Sequence, residues 1–195
     1  MRVIAGTYRS RPLKAPPGLG IRPTSDRLRE TLFNVLAGRI EDACFADLFA
    51  GTGAVGVEAF SRGASQVWFV ERASAAVGAI RANLRSLGIA SGFHIDSRAV
   101  SAALAHPAPQ TALRPWDVVF LDPPYEDSGA YQSTLAMLGK LAGQLLAPNA
   151  VVVAEHRSGN RAAEKTALDE RYGPLERSRV LTQGDAALSF YQIGT

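Results

Sequence analysis

The chain has 195 residues, 47% of them hydrophobic, with 21 basic and 18 acidic side chains and a formal net charge of +3. This composition is ample for one core and tight for two, and the near-balanced charge excludes a disordered chain. No apolar run reaches the length of a membrane span, and a single cysteine, Cys44, excludes an internal disulfide or a cysteine-based zinc site.

The charge is uneven. Residues 1 to 39 hold eight basic side chains (Arg2, Arg9, Arg11, Lys14, Arg22, Arg27, Arg29, Arg39) against Asp26 and Glu30, so this head carries +6 and the remainder −3. A basic head on a mildly acidic body suits a polyanion approached from one side; the competing reading is a solvated face with no partner. The start, "RVIAGTYRSRPLKAP", alternates like a small hairpin or extended arm, and its apolar stretch before Tyr8 and Arg9 is too short for a signal peptide. A helix then begins in "RPTSDRLRETLFNVLAGRI": Pro23 bars an earlier start, and Thr24 or Ser25 can cap it. Leu28, Leu32, Val35, Leu36 and Ile40 form its buried stripe, with Arg27, Glu30 and Asn34 off it.

From residue 43 strands and helices alternate. "ACFADLF" (43–49) reads as a strand, "AVGVEAFSRG" as a helix stopped by Gly63, and "QVWFVE" (66–71) as a strand. In 74–88, Val77, Ile80, Leu84 and Leu87 have helical spacing, with Gly88 after them. "FHID" is a weak strand, "SAALAH" a short helix, and "WDVVFLD" (116–122) a strand buried on both faces. "YQSTLAMLGKLAGQL" predicts a helix closed by Pro148 and Asn149, and "AVVVAEH" (150–156) another buried strand. His94 and His156 read as strand residues rather than catalysts. The tail, "SRVLTQGDAALSFYQ", predicts an antiparallel hairpin turning at Gly184 and Asp185. The expected fold is α/β: a doubly wound, mostly parallel Rossmann-like sheet with that hairpin and a small basic N-terminal extension. One domain over 1–195 is expected, with 1–24 an arm packed on it.

Two motifs carry chemistry. In "DLFAGTGAVG" (47–56), Gly51, Gly53 and Gly56 satisfy G-x-G-x-x-G, with Glu71 at the end of the next strand. Glycines there admit a ligand close to backbone at a helix N-terminus, and either a dinucleotide or S-adenosylmethionine fits. Asp47 favours the methyl donor, because its carboxylate repels a pyrophosphate and pairs with the ammonium of a methionine tail. Glu71 can accept the ribose hydroxyls of either ligand, and no Lys-Ser/Thr pair follows the glycines to make a P-loop. The second motif, "DPPY" (122–125), ends the 116–122 strand and should face the same crevice as Gly51 to Gly53. Prolines lack N–H groups, so the Asp122 carboxylate and the carbonyls around Pro123 and Pro124 form an acceptor cluster. Such a cluster suits the two N–H donors of an exocyclic amino group, with Tyr125 stacked on the base.

"DLFAGTG" followed by "DPPY" resembles the class I S-adenosylmethionine-dependent amino-methyltransferases. "GIRPTSDRLRETLFNVL" is similar to the bacterial 16S rRNA guanine-N2 methyltransferase family, the RsmD type, and the likeness runs from "RVIAGTYRSRPL" to "GDAALSFYQ". The resemblance implies methylation of a guanine N2 amino group in 16S rRNA, with the assembled small subunit as substrate. It implies that Asp47, Phe49, Ala50, Gly51, Thr52, Gly53, Glu71 and Arg72 hold S-adenosylmethionine, and that Asp122, Pro123, Pro124 and Tyr125 hold the guanine. Many relatives place an acidic residue before an alanine at the end of the third strand, to meet the adenine; here Arg98 stands there, and either Asp96 or backbone near Ser97 serves, or adenine is held mainly by apolar contact. Arg9, Arg11, Arg22, Arg27 and Arg29 are candidate phosphate contacts. A metal-free monomer in the cytoplasm is expected. An adenine-N6 nucleic-acid methyltransferase would share D-P-P-Y, and a nicotinamide-dependent oxidoreductase would share the glycines.

Overall fold

A computed structural model describes residues 1–15, 25–107, 114–124, 127–158 and 168–194. Its contacts divide the chain into two compact units, Met1–Val100 and Ser101–Thr195.

In the first unit, α1 (Asp26–Val35) starts at Ser25, whose side chain accepts from the Leu28 N–H at 3.1 Å and so satisfies an otherwise orphaned donor. Leu28, Leu32, Leu36 and Ile40 are buried, as their spacing predicts, with Phe33 beside them; Val35 is half-buried. Strand β1 (Cys44–Leu48) is buried along its whole length, Cys44 included, and leads through the glycine turn into α2 (Ala54–Ser61). Gly63, in the left-handed region, ends that helix as expected. Strand β2 (Gln66–Val70), α3 (Ser74–Leu87) and β3 (Phe93–Asp96) follow, and the strands lie in the order β3-β2-β1, all parallel. The weakest expected strand, "FHID", is therefore a real one: Val67 to Val70 pair with Phe93 to Asp96. Gly88 caps α3 with φ 74°, a conformation that costs glycine nothing.

Helix α4 (Val100–Ala105) precedes β4 (Trp116–Leu121). In the second unit β4 pairs in parallel with β5 (Leu146–Arg157), and β5 pairs antiparallel with β8 (Ala186–Ile193). Strand β8 pairs with β7 (Leu175–Gln183), and the two turn at Gly184 (φ 60°) and Asp185 as expected. Parallel strands with an antiparallel C-terminal set make the fold α/β.

Three boundaries differ from expectation. The helix predicted over 131–145 is two, α5 (Ser128–Lys140) and α6 (Ala142–Leu145). Pro148 does not close a helix but lies inside β5, where the register jumps: Trp116 pairs with Leu146 and Val118 with Val151. A proline is tolerated in that irregularity because it removes no ladder hydrogen bond. The two-residue strand β6 (Arg171–Tyr172), paired with β7 across Gly173, was not expected at all. No described helix is long and apolar enough to cross a membrane.

Candidate active site

The glycine turn is held by two carboxyl groups. Asp47, at 2% exposure, accepts from the Gly56 N–H at 2.8 Å through Oδ2. Burial, reinforced by the charge of Glu71, pushes its carboxyl up to about 8. Glu71 sits past β2 and accepts from two backbone donors, Gly51 N–H at 2.9 Å and Ala73 N–H at 2.7 Å. One carboxylate thereby fixes the turn after β1 to the turn after β2. Between them the chain bends sharply: Phe49, Gly51 and Gly53 all have positive φ, at 62°, 55° and 76°. For Phe49 this is a genuine outlier, of the kind that clusters at ligand sites. The Ala50 N–H donates to Val70 and the Gly53 N–H to Ala50, which closes the turn onto the start of α2. A Cβ on Gly56 would overlap the Phe69 ring, so that helix can pack on β2 only through glycine.

The structure thus brings Asp47, Gly51 and Glu71 together, and the Glu71 N–H donates to the Asp96 carbonyl at 3.0 Å. Arg72 and Ser97 are exposed beside them. Asp96 is buried and its carboxylate is committed to Arg98: Oδ1 accepts from the Arg98 N–H and Nε, and Oδ2 from Nη2 at 2.6 Å. Those bonds hold its carboxyl below the usual range.

In the second unit, Asp122 is half-buried immediately after β4. Pro123 is buried and Pro124 exposed; Tyr125 lies outside the described residues. The proline carbonyls are not all open, as the acceptor-cluster reading assumed. Pro123 accepts from the Tyr131 hydroxyl at 3.1 Å and Pro124 from the Asp127 N–H at 2.8 Å, each of which leaves one lone pair as far as the described residues go.

The basic head is tied to α2 and α3 of its own unit. Arg2 and Pro12 form an antiparallel bridge, which makes residues 1–15 a small hairpin-like arm. Glu58, a lone acid on an otherwise apolar helix, receives the Ile4 and Ala5 N–H groups at 2.8 and 3.0 Å, and Arg62 Nε at 2.7 Å. Asn83, fully buried on α3, accepts from the Lys14 N–H and donates to the carbonyls of Lys14 and Thr52, so the arm and the glycine turn share one carboxamide.

Arg9, Arg11 and Arg27 are exposed, and Arg22 lies outside the described residues. Arg29 corrects the charge reading. At 0% exposure it cannot meet a phosphate; it donates to the Arg2 carbonyl and to Asp26, with Glu58 Oε2 at 3.8 Å. The signal was present in the sequence, since Phe33 and Leu36 follow it at i+4 and i+7 and place it on the buried side of α1. Arg29→Met is expected to cost about 1–3 kcal/mol in denaturant unfolding, because the Arg2 carbonyl and Asp26 lose their donor while Glu58 keeps Arg62 and two backbone N–H groups. Arg27→Met, on the exposed face, is expected to stay within about 0.5 kcal/mol.

A parallel α/β unit with a carboxyl-braced glycine turn, and a D-P-P turn at a strand's carboxyl end, define a Rossmann-like methyltransferase. The family model described as "Conserved hypothetical protein 95" matches residues 1–192. The ribosomal RNA small subunit methyltransferase D of Escherichia coli is 38% identical over 149 residues, 75% of this chain and 72% of that protein. A Bacillus subtilis protein provisionally named as an rRNA methyltransferase, YlbH, is 33% identical over 193 residues, 98% of each chain. A solved Escherichia coli structure, provisionally described as a methyltransferase, superposes with a TM-score of 0.81 at 33% identity, covering 100% of this chain and 98% of that one. The chain belongs to the small-subunit rRNA methyltransferase D family.

Proposed function

We propose that this chain transfers a methyl group from S-adenosylmethionine to the exocyclic N2 amino group of one guanine in 16S rRNA, with the assembled small subunit as substrate. The observation that carries the reading is the kinship, over three quarters or more of the chain, to proteins named as small-subunit rRNA methyltransferases. The donor set fits the cofactor. Asp47 offers a buried carboxyl, hydrogen-bonded by Gly56, to the ammonium of the methionine tail, and Glu71 has lone pairs left for the ribose hydroxyls. The Asp96–Arg98 pair favours backbone at Ser97 over the Asp96 carboxylate as the adenine contact.

Bound S-adenosylmethionine supplies an electrophilic methyl group on a sulfonium. Asp122 and the remaining lone pair of the Pro123 carbonyl accept the two N–H bonds of the guanine amino group, which orients the nitrogen and turns its lone pair outward. Methyl transfer would leave positive charge on the amino nitrogen and S-adenosylhomocysteine as the leaving group; the Asp122 carboxylate would stabilise that charge and take up the released proton. Positioning then supplies most of the rate. Arg9, Arg11 and Arg27 contact phosphates, and the chain works as a cytoplasmic monomer without a metal.

The test is transfer of labelled methyl to small subunits lacking the modification, with naked 16S rRNA and DNA in parallel. Label in N2-methylguanosine from subunits is expected, with an apparent affinity that falls steeply as salt rises. Label in adenine would overturn the base assignment. No label from a folded protein would overturn the function.

A further inference from the structure

A turn built from two prolines has an unusual weakness. The pyrrolidine rings lock φ at residues 123 and 124, and Pro124 confines ψ of Pro123 to the extended region, but within that region the direction of the carbonyl still varies by tens of degrees. Neither proline has an N–H with which to tie the turn down. The aim of each carbonyl must therefore be set by a donor that comes to it. Two donors do so, both from α5 or its cap. The Asp127 N–H holds the Pro124 carbonyl at 2.8 Å, while the Asp127 side chain accepts from the Ala130 N–H and begins the helix. One turn further on, the Tyr131 hydroxyl holds the Pro123 carbonyl at 3.1 Å.

Tyr131 brings the second of these donors from the interior of α5. Its side chain is 0% exposed, so the phenol is not a surface group, and with only two side-chain torsions it holds its hydroxyl on the Pro123 carbonyl more rigidly than a flexible chain could. A phenol donor occupies one lone pair of the carbonyl and leaves the other, roughly 120° away in the amide plane, aimed by the first. We propose that Tyr131 is a positioning residue for methyl transfer: its hydroxyl fixes ψ of Pro123 and thereby aims the free lone pair of that carbonyl at the amino group of the acceptor base. This rests on the reading of Asp122 to Pro124 as the acceptor-base turn.

Tyr131→Phe removes the hydroxyl and keeps the ring that fills the core. The measurement is kcat and KM with undermodified small subunits and S-adenosylmethionine, beside thermal unfolding. The expected result is a fall in kcat of about 10- to 100-fold, the scale of a misplacement near 1 Å. KM for the donor should stay within twofold, and the melting temperature should drop by only a few degrees. Leu135→Ala, fully buried on the same helix, separates aim from helix stability. It should lower the melting temperature at least as much while retaining most of kcat. An unchanged kcat in Tyr131→Phe, or an equal loss in Leu135→Ala at matched stability, overturns the proposal. Wild-type protein that labels no substrate would instead overturn the function and leave the hydrogen bond without this role.

Discussion

Asp122→Ala is expected to abolish methyl transfer, by 10³-fold or more in kcat, while S-adenosylhomocysteine still binds with its wild-type affinity. Asp122 is the charged acceptor that directly follows β4, in a turn whose two proline carbonyls have each given a lone pair to α5 or its cap. It offers a negative charge to a nitrogen that becomes cationic as it attacks, and charge-assisted acceptors are roughly twice as strong as neutral ones. The residues proposed to hold the donor, Asp47, Gly51 and Glu71, lie far earlier in the chain and depend on β1 and β2, so the substitution should leave them undisturbed. Asp122→Asn sharpens the result. It keeps one acceptor oxygen but brings an NH₂ against the donors of the base, and loses the proton acceptor as well; a loss of at least 10²-fold is expected. Single-turnover transfer with labelled donor, beside calorimetric titration of S-adenosylhomocysteine, checks both. Asp122→Ala that transfers methyl at the wild-type rate would sink the mechanism.

Legibility in the sequence followed the physics of each segment. Strand β1, α2 and β2 were readable because their burial is continuous and glycine punctuates them: Gly63 and Gly88 stop two helices at left-handed φ. The hairpin at Gly184 was readable for the same reason. Strand β6 was not, since two residues carry no period and "RYGPL" reads as a turn. Pro148 misled because a proline after an apolar helix normally marks its end, whereas here a register jump between β4 and β5 accommodates it. At the candidate site, residue type and spacing point to Asp47, Gly51, Gly53, Glu71 and Asp122. What sequence could not supply was pairing across chain distance. Glu58 meets residues 4 and 5, Asn83 meets Lys14 and Thr52, and Tyr131 on α5 reaches back to Pro123. Arg29 is the instructive error. Counting charge treats every arginine as surface, yet this one spends its charge inside the protein.

Asp47 yields the second large effect, and it is a pH effect. Its carboxyl is buried, receives one hydrogen bond from the Gly56 N–H, and lies near the negative Glu71, so its pKa stands at about 8 rather than 3.8. Below that value the free protein keeps Asp47 protonated. Pairing with an ammonium requires the ionised form, so loading the donor must release a proton. The affinity for S-adenosylhomocysteine should rise roughly tenfold per pH unit between about 6 and 8 and then level off. Asp47→Asn should bind at least 10-fold more weakly at pH 8 and lose the pH dependence. Stability runs the other way. An acid whose folded pKa is raised stabilises the protein fully below its unfolded pKa, and that stabilisation drains away as pH rises from about 4 to 8, because the unfolded chain ionises first. The unliganded Asp47→Asn protein should therefore gain melting temperature over wild type at pH 8, by several degrees, and little at pH 4. Titrations at three pH values and paired melts read both slopes. Wild-type affinity that is flat from pH 6 to 8 would mean that Asp47 does not meet the ammonium, and that the carboxyl serves only to hold the N-terminus of α2 against β1.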